Sequence, residues 1–237
     1  MKKGKLLLTS GGITNESIQK ALVDLLGKPL RESSALFVPT AIYAFPHSAN
    51  WAWDWIKRLG ELEWKEFGVL ELTALSSLPR EFWLPQLEET DALIMGGGNE
   101  FYLSYWMEIS GLFDVLPHLM EQGQVYVGVS AGTMVVTPAL NFNLDRFKAT
   151  GVYHDDEFDE GMPSSAGSTK TLPLVDFVVR PHFMSDYFPQ TTPENLEKWA
   201  AKVAFPLYAL DDESAVKVVD GQVEVVSNGT WRLFAKP

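Results

Sequence analysis

Val125-Tyr126-Val127-Gly128-Val129 is a strand-forming run that leads directly into Ser130-Ala131-Gly132. The Gly-x-Ser-x-Gly spacing of Gly128, Ser130 and Gly132 is that of a nucleophile elbow. In that device a sharp strand-to-helix turn lifts a serine hydroxyl above the sheet edge. The flanking glycines are required because a side chain at either place would strike the neighbouring strand or helix. The peptide N–H of Ala131 would stand at a helix start, where unpaired donors can stabilise an oxyanion. The chemistry implied is covalent catalysis by Ser130.

Such a serine needs a base. Of the four histidines, His182 follows the apolar run Phe177-Val178-Val179 after Arg180-Pro181, which puts it at a strand's carboxyl end. A general base belongs there, on the side of the elbow, and Pro181 restricts the backbone just before it. His118 reads as a surface residue on a helix and His47 as part of a Pro-containing loop. His154 lies in a loop with Asp155 and Asp156, which reads as solvated, with a metal site as the lesser alternative. The base in turn needs an acid to hold its tautomer. Asp212, after the strand Leu207–Leu210, is favoured because a strand end positions a side chain better than a mobile loop does. Glu213 beside it and Asp145, in the irregular stretch after Ser130, are the alternative acids. Gly96-Gly97-Gly98-Asn99 supplies a second oxyanion donor, the N–H of Gly98, to pair with that of Ala131.

These residues must be held by a particular kind of scaffold. Strand-like segments at Lys5–Thr9, Ser34–Pro39, Lys65–Val69, Ala92–Met95 and Val125–Val129 alternate with helical ones, including one through Leu26 that Thr14 could cap and another at Trp51–Leu59. Short apolar strands between helices predict an α/β fold, a doubly wound, mostly parallel sheet covered on both faces. Active sites in such sheets lie beyond the carboxyl ends of the strands, where the glycine-rich turns at Gly11, Gly96 and Gly128 fall. Later strands are expected at Val175–Val179, Leu207–Leu210 and Ala215–Val219. Asp220-Gly221 then turns into Val223–Val226, which makes the C-terminal part antiparallel. Between them, 141–173 loses periodicity and reads as a lid narrowing access to the site. Trp51 and Trp55 share a helix face, with core or interface packing as their expected use.

The chain has 237 residues, 46% hydrophobic, enough for one α/β domain over residues 1–237. Its net charge of -12 argues against nucleic acid or anionic lipid as a partner. With no cysteine, disulfides, thiolate metal sites and a cysteine nucleophile are excluded. The apolar run Leu6-Leu7-Leu8 is too short for a signal peptide, and no stretch approaches a membrane span, so a cytoplasmic protein is expected.

At this point the sequence resembles the peptidase E family of serine peptidases, which also includes cyanophycinases. The resemblance rests on Ile94–Phe101, on Gly128–Gly132, on Arg180-Pro181-His182-Phe183 and on Ala209–Ala215, with Ser34–Pro39 similar to the family's second strand. It implies a three-layer fold like class I glutamine amidotransferase domains. It also implies a Ser-His-acid triad of Ser130, His182 and Asp212, with Gly98 and Ala131 as oxyanion donors. The family's acid is typically a glutamate; the aligned residue here is Asp212. Known members cleave aspartyl dipeptides or aspartate-linked polymers. An aspartyl substrate would want a cation, for which Arg146, Lys148, Lys170 and Arg180 are candidates. Arg180 and Asn99 are the substrate-binding candidates. The stretch between Ser130 and His182 is longer than in the aspartyl dipeptidase branch, so the inserted loop is expected to overhang the pocket. The expectation is a serine exopeptidase acting on short peptides, with no metal or other cofactor, as a monomer or homodimer. An esterase or amidase on the same triad, and a non-catalytic binding protein keeping the fold, are the competing readings.

Overall fold

The computed structural model describes residues 4–46, 48–155 and 166–236. Strands β1 (Lys5–Thr9), β2 (Ser34–Val38), β3 (Glu66–Val69), β4 (Ala92–Met95) and β5 (Val125–Val129) are parallel and lie in the order β3-β2-β4-β5-β1. The chain then forms β6 (Val178–Arg180) and β7 (Leu207–Leu210) away from this sheet, pairing them parallel to each other. It returns with β8 (Ser214–Val219) and β9 (Gln222–Ser227), which extend the main sheet antiparallel beyond β1. Finally β10 (Trp231–Phe234) pairs antiparallel with β7. The outcome is a seven-stranded, mostly parallel sheet and a separate three-stranded sheet, where the sequence suggested one sheet.

Side chains alternate across a strand, so each buried strand feeds two cores. Leu7, Phe37, Ile94 and Val127 face α1 (Glu16–Leu26) and α2 (Ala49–Gly60). Leu8, Leu36, Met95 and Tyr126 face the other way, toward α3 (Leu72–Leu75), α4 (Arg80–Glu88), α5 (Glu100–Ile109) and α6 (Leu112–Glu121). The i, i+3, i+4, i+7 spacing of Ile18, Ala21, Leu22 and Leu25 is what lays α1 on the sheet. Its cap is Asn15, whose side chain accepts from the Ile18 N–H at 3.0 Å, rather than Thr14. Thr14 instead donates its hydroxyl to the carbonyl of Asp212 at 2.8 Å. Gly27, at φ 72°, closes the helix in the left-handed conformation.

The second sheet has its own core. Val178, Leu207 and Ala209 pack on Leu196 and Trp199 of a C-terminal helix, Pro193–Lys202. The hairpin joining β8 to β9 places Asp220 at φ 49° and Gly221 at φ 86°, the left-handed pair of a tight turn matched to strand twist. Among the described residues of 141–173 there is one short helix, Leu144–Thr150, where the sequence suggested irregular chain. Asn143 caps it and Gly151 ends it. Phe142, Phe147 and Tyr153 form an aromatic cluster that anchors this segment on Phe101 of α5. Expectations for Asp156, Glu157 and Met162–Ser165 lie outside the described residues. Among those described, no helix is long and apolar enough to cross a membrane.

Candidate active site

Ser130 follows β5 and precedes a one-turn helix, Ala131–Met134. Its backbone is at φ 49°, ψ −109°, a conformation non-glycine residues rarely adopt and one that turns the side chain out of the sheet. The flanking glycines are needed on both sides. A Cβ on Gly128 would lie 2.7 Å from the Thr133 Cα, and one on Gly132 would lie 2.1 Å from the Met95 carbonyl oxygen. Because the second obstacle is backbone of β4, Gly132→Ala must push strand and turn apart. A loss of about 1–3 kcal/mol or more is expected in urea unfolding. Wild-type stability in that variant would mean the turn is not packed as described.

His182 stands two residues beyond β6 and Asp212 two beyond β7, so the parallel pairing of those strands brings the two together. Ser130 Oγ lies 2.9 Å from His182 Nε2, and His182 Nδ1 lies 2.7 Å from Asp212 Oδ1. A carboxylate only accepts, so the proton sits on Nδ1 and leaves the Nε2 lone pair for the serine hydroxyl. The imidazole is stacked on Phe188, with ring centroids 4.1 Å apart. Burial pushes the Asp212 carboxyl up, but the hydrogen bond and charge of His182 and the hydroxyl of Ser10 outweigh it. The group is held below the usual aspartate value and stays ionised.

Ser10 was not singled out from the sequence. Its hydroxyl donates to Asp212 Oδ1 and accepts from the His182 N–H, both at 2.7 Å, tying β1 to both partners. Gly11 makes room for this: a Cβ there would lie 2.8 Å from the Asp212 carbonyl oxygen. The available signal was position, since Ser10-Gly11-Gly12 ends the strand beside β5.

Gly96-Gly97-Gly98 ends β4, the other neighbour of β5. Gly98 sits at φ +132°, and a Cβ would lie 2.3 Å from the Ala41 carbonyl carbon, so only glycine fits. Gly97 and Gly98 line a cavity of about 480 Å³ together with Ser10, Ser130 and His182. Ala131 is buried at the first position of its helical turn, where N–H groups lack an intrahelical partner. The rest of the wall is largely apolar, with Ile42, Phe45, Trp51, Trp55, Met134 and Phe188. Trp51 and Trp55 thus share a face, as the spacing suggested, but their use differs from packing alone. Trp51 is 55% exposed, Trp55 packs on Phe37, and both line the cavity.

Other candidates are placed elsewhere. Asp145 is exposed and paired with Lys148 at 3.7 Å, because its short helix points it to solvent. Glu213 turns away from His182 and accepts from the Asn15 side chain at 2.9 Å. Asn99 is buried, and its side chain accepts from the Tyr102 N–H at 2.8 Å, capping α5 rather than lining the cavity. Arg180 does line the cavity, but its guanidinium donates to Asp155 at 2.8 Å, with both side chains 4% exposed. Asp155 is therefore a buried wall residue rather than a solvated one. Among the described residues no group of three potential ligands could hold a metal. None of Arg146, Lys148 and Lys170 lines the cavity, and Lys170 pairs with Glu108 at 3.1 Å. His118 is exposed against Gln122, and His47 lies outside the described residues.

A "Peptidase E" of Streptomyces coelicolor is 28% identical to the chain over 159 residues, 65% of this chain and 59% of that protein. A Drosophila melanogaster protein named "Probable alpha-aspartyl dipeptidase" is 28% identical over 155 residues, covering 62% and 58%. The chain thus matches less than two-thirds of the length of either relative. The crystal structure of a peptidase from an acI-B1 Actinobacterium superposes with a TM-score of 0.66 over 97% of this chain and 89% of the other, at 18% identity. The model of Peptidase family S51 matches residues 6–226, a span that contains the elbow, the histidine and the carboxylate, and the chain belongs to that family.

Proposed function

We propose that the protein is a serine peptidase that cleaves short peptides through an acyl-enzyme. Ser130 Oγ attacks the scissile carbonyl as His182 Nε2 takes its proton. Asp212 holds the imidazole and stabilises its charged form. The N–H groups of Gly98 and Ala131 receive the developing oxyanion. His182 then returns the proton to the departing amine, and water repeats the sequence on the acyl group. One observation carries this reading: the unbroken chain of contacts from Ser130 through His182 to Asp212 opens onto a cavity of about 480 Å³. That size suits a short peptide rather than a folded protein.

Aspartyl specificity is not included, although one relative carries that name. An acidic side chain would have to displace Asp155 from Arg180. Asp155 comes from the long 141–173 segment, which supports a role for that segment in selecting substrates. A fluorophosphonate probe should label the protein at Ser130, read by peptide mass spectrometry, and not label Ser130→Ala. Absence of labelling would favour a non-catalytic protein that keeps the fold.

A further inference from the structure

Three charged residues on the cavity wall do not take part in the chemistry above. Glu100, Asp155 and Arg180 come from the start of α5, the 141–173 segment and the end of β6, and all three are buried. Arg180 occupies only one oxygen of Asp155, Oδ2. The other, Oδ1, is buried and meets no donor among the described residues. Glu100 adds a second carboxyl group beside it. Burial first, and then the charge of Asp155, push the Glu100 carboxyl well above the ordinary range, against a partial opposing effect of Arg180. Two carboxyl groups facing each other out of water need either a shared proton or a cation between them.

We propose that Glu100 and Asp155 form a recognition site for a protonated primary amine of the substrate. The charges fit a monovalent cation. Arg180 balances one carboxylate, which leaves one negative charge to be matched once Glu100 ionises. An ammonium brings three donors and no acceptor, which suits an orphaned carboxylate oxygen and a second carboxyl. The surrounding wall suits the rest of such a ligand, because Trp51, Trp55 and Phe45 offer apolar surface. When the amine enters, Glu100 gives up its proton to solvent, and the site exchanges a shared proton for a shared ammonium. A carboxylate-bearing side chain gains nothing from this pair and could be held here only by displacing Asp155 from Arg180. The amine has two possible sources, the α-ammonium of a peptide N-terminus or the side chain of a lysine-type residue. This inference rests on the reading of the cavity as a peptide site.

Calorimetric titration of the Ser130→Ala protein separates the possibilities without relying on turnover. Alaninamide against N-acetylalaninamide tests the α-ammonium, and Nα-acetyllysinamide against Nα-acetylnorleucinamide tests the side chain. One amine is expected to bind at least tenfold more tightly than its neutral counterpart, and adding Glu100→Gln should erase the difference. The ligand comparison needs no change at the site, so it stands even if that second variant folds poorly. Equal binding within both pairs would overturn the proposal, as would a preference that survives Glu100→Gln in a folded variant. Loss of fluorophosphonate labelling in the unmutated protein would count against the hydrolase reading alone, leaving the binding comparison to be judged by itself.

Discussion

Ser130→Ala is expected to lower turnover of a short peptide on the order of a millionfold, with little change in melting temperature. The loss is large because, in the proposed mechanism, the hydroxyl forms the bond to the acyl group. What remains is transition-state binding by the oxyanion donors and the cavity. Stability should be spared because, among the described residues, Ser130 Oγ bonds only to His182 Nε2, at a half-buried turn. The strained backbone at φ 49° is as costly for alanine as for serine, so the change adds no new strain. Parts that act as one unit fail together. Adding His182→Ala to Ser130→Ala should therefore cost almost nothing more in single-turnover assays. Near-normal activity of the single variant would sink the covalent mechanism, and a large further loss in the double variant would show that His182 acts independently.

The features legible in the sequence are those that a few adjacent residues determine. The turns after Thr9, Met95 and Val129 are glycine-rich because backbones or side chains crowd there. Their assembly into one site follows from β4, β5 and β1 being neighbours. His182 and Asp212 were legible as strand-end residues, but the sheet that holds them was not. β6 is only three residues long, and its membership is fixed by the pairing of Val178 with Leu207, a long-range event that no local pattern encodes. Thr14 and Asn15 are both good caps, and which one serves depends on the carbonyl of Asp212 claiming the Thr14 hydroxyl. Asp155 stands in an acidic, polar run whose composition says solvent. The distant Arg180 makes its burial tolerable. The helix at Leu144–Thr150 was missed for a related reason: its Phe147 packs on Phe142 and Tyr153, which in turn sit on Phe101, and no apolar periodicity of its own marks it.

Asp212→Asn should reduce kcat by up to ~10⁴-fold, the loss typical when a triad acid is neutralised in place. The carboxylate oxygen Oδ1 accepts from both His182 Nδ1 and the Ser10 hydroxyl. Ser10 already accepts from the His182 N–H, so its single proton is committed to Asp212. An asparagine must therefore present its carbonyl oxygen to keep both contacts, and it then offers no charge to stabilise the imidazolium. If it presents its amide instead, the imidazole tautomer reverses and Nε2 can no longer take the serine proton. Adding Ser10→Ala frees the amide to turn and should deepen the defect. A pH series provides a second check. The Asp212 carboxyl is held below its ordinary value in the folded protein, so its contribution to stability is present above that value, about pH 4, and is lost as pH falls through the lowered one. The gap in melting temperature between wild type and Asp212→Asn should thus be steady at neutral pH and close in acid. A gap that widens on acidification would show that the carboxylate is not held by His182 and Ser10 in the way described. With kcat unchanged as well, the role of Asp212 in orienting the base would fail.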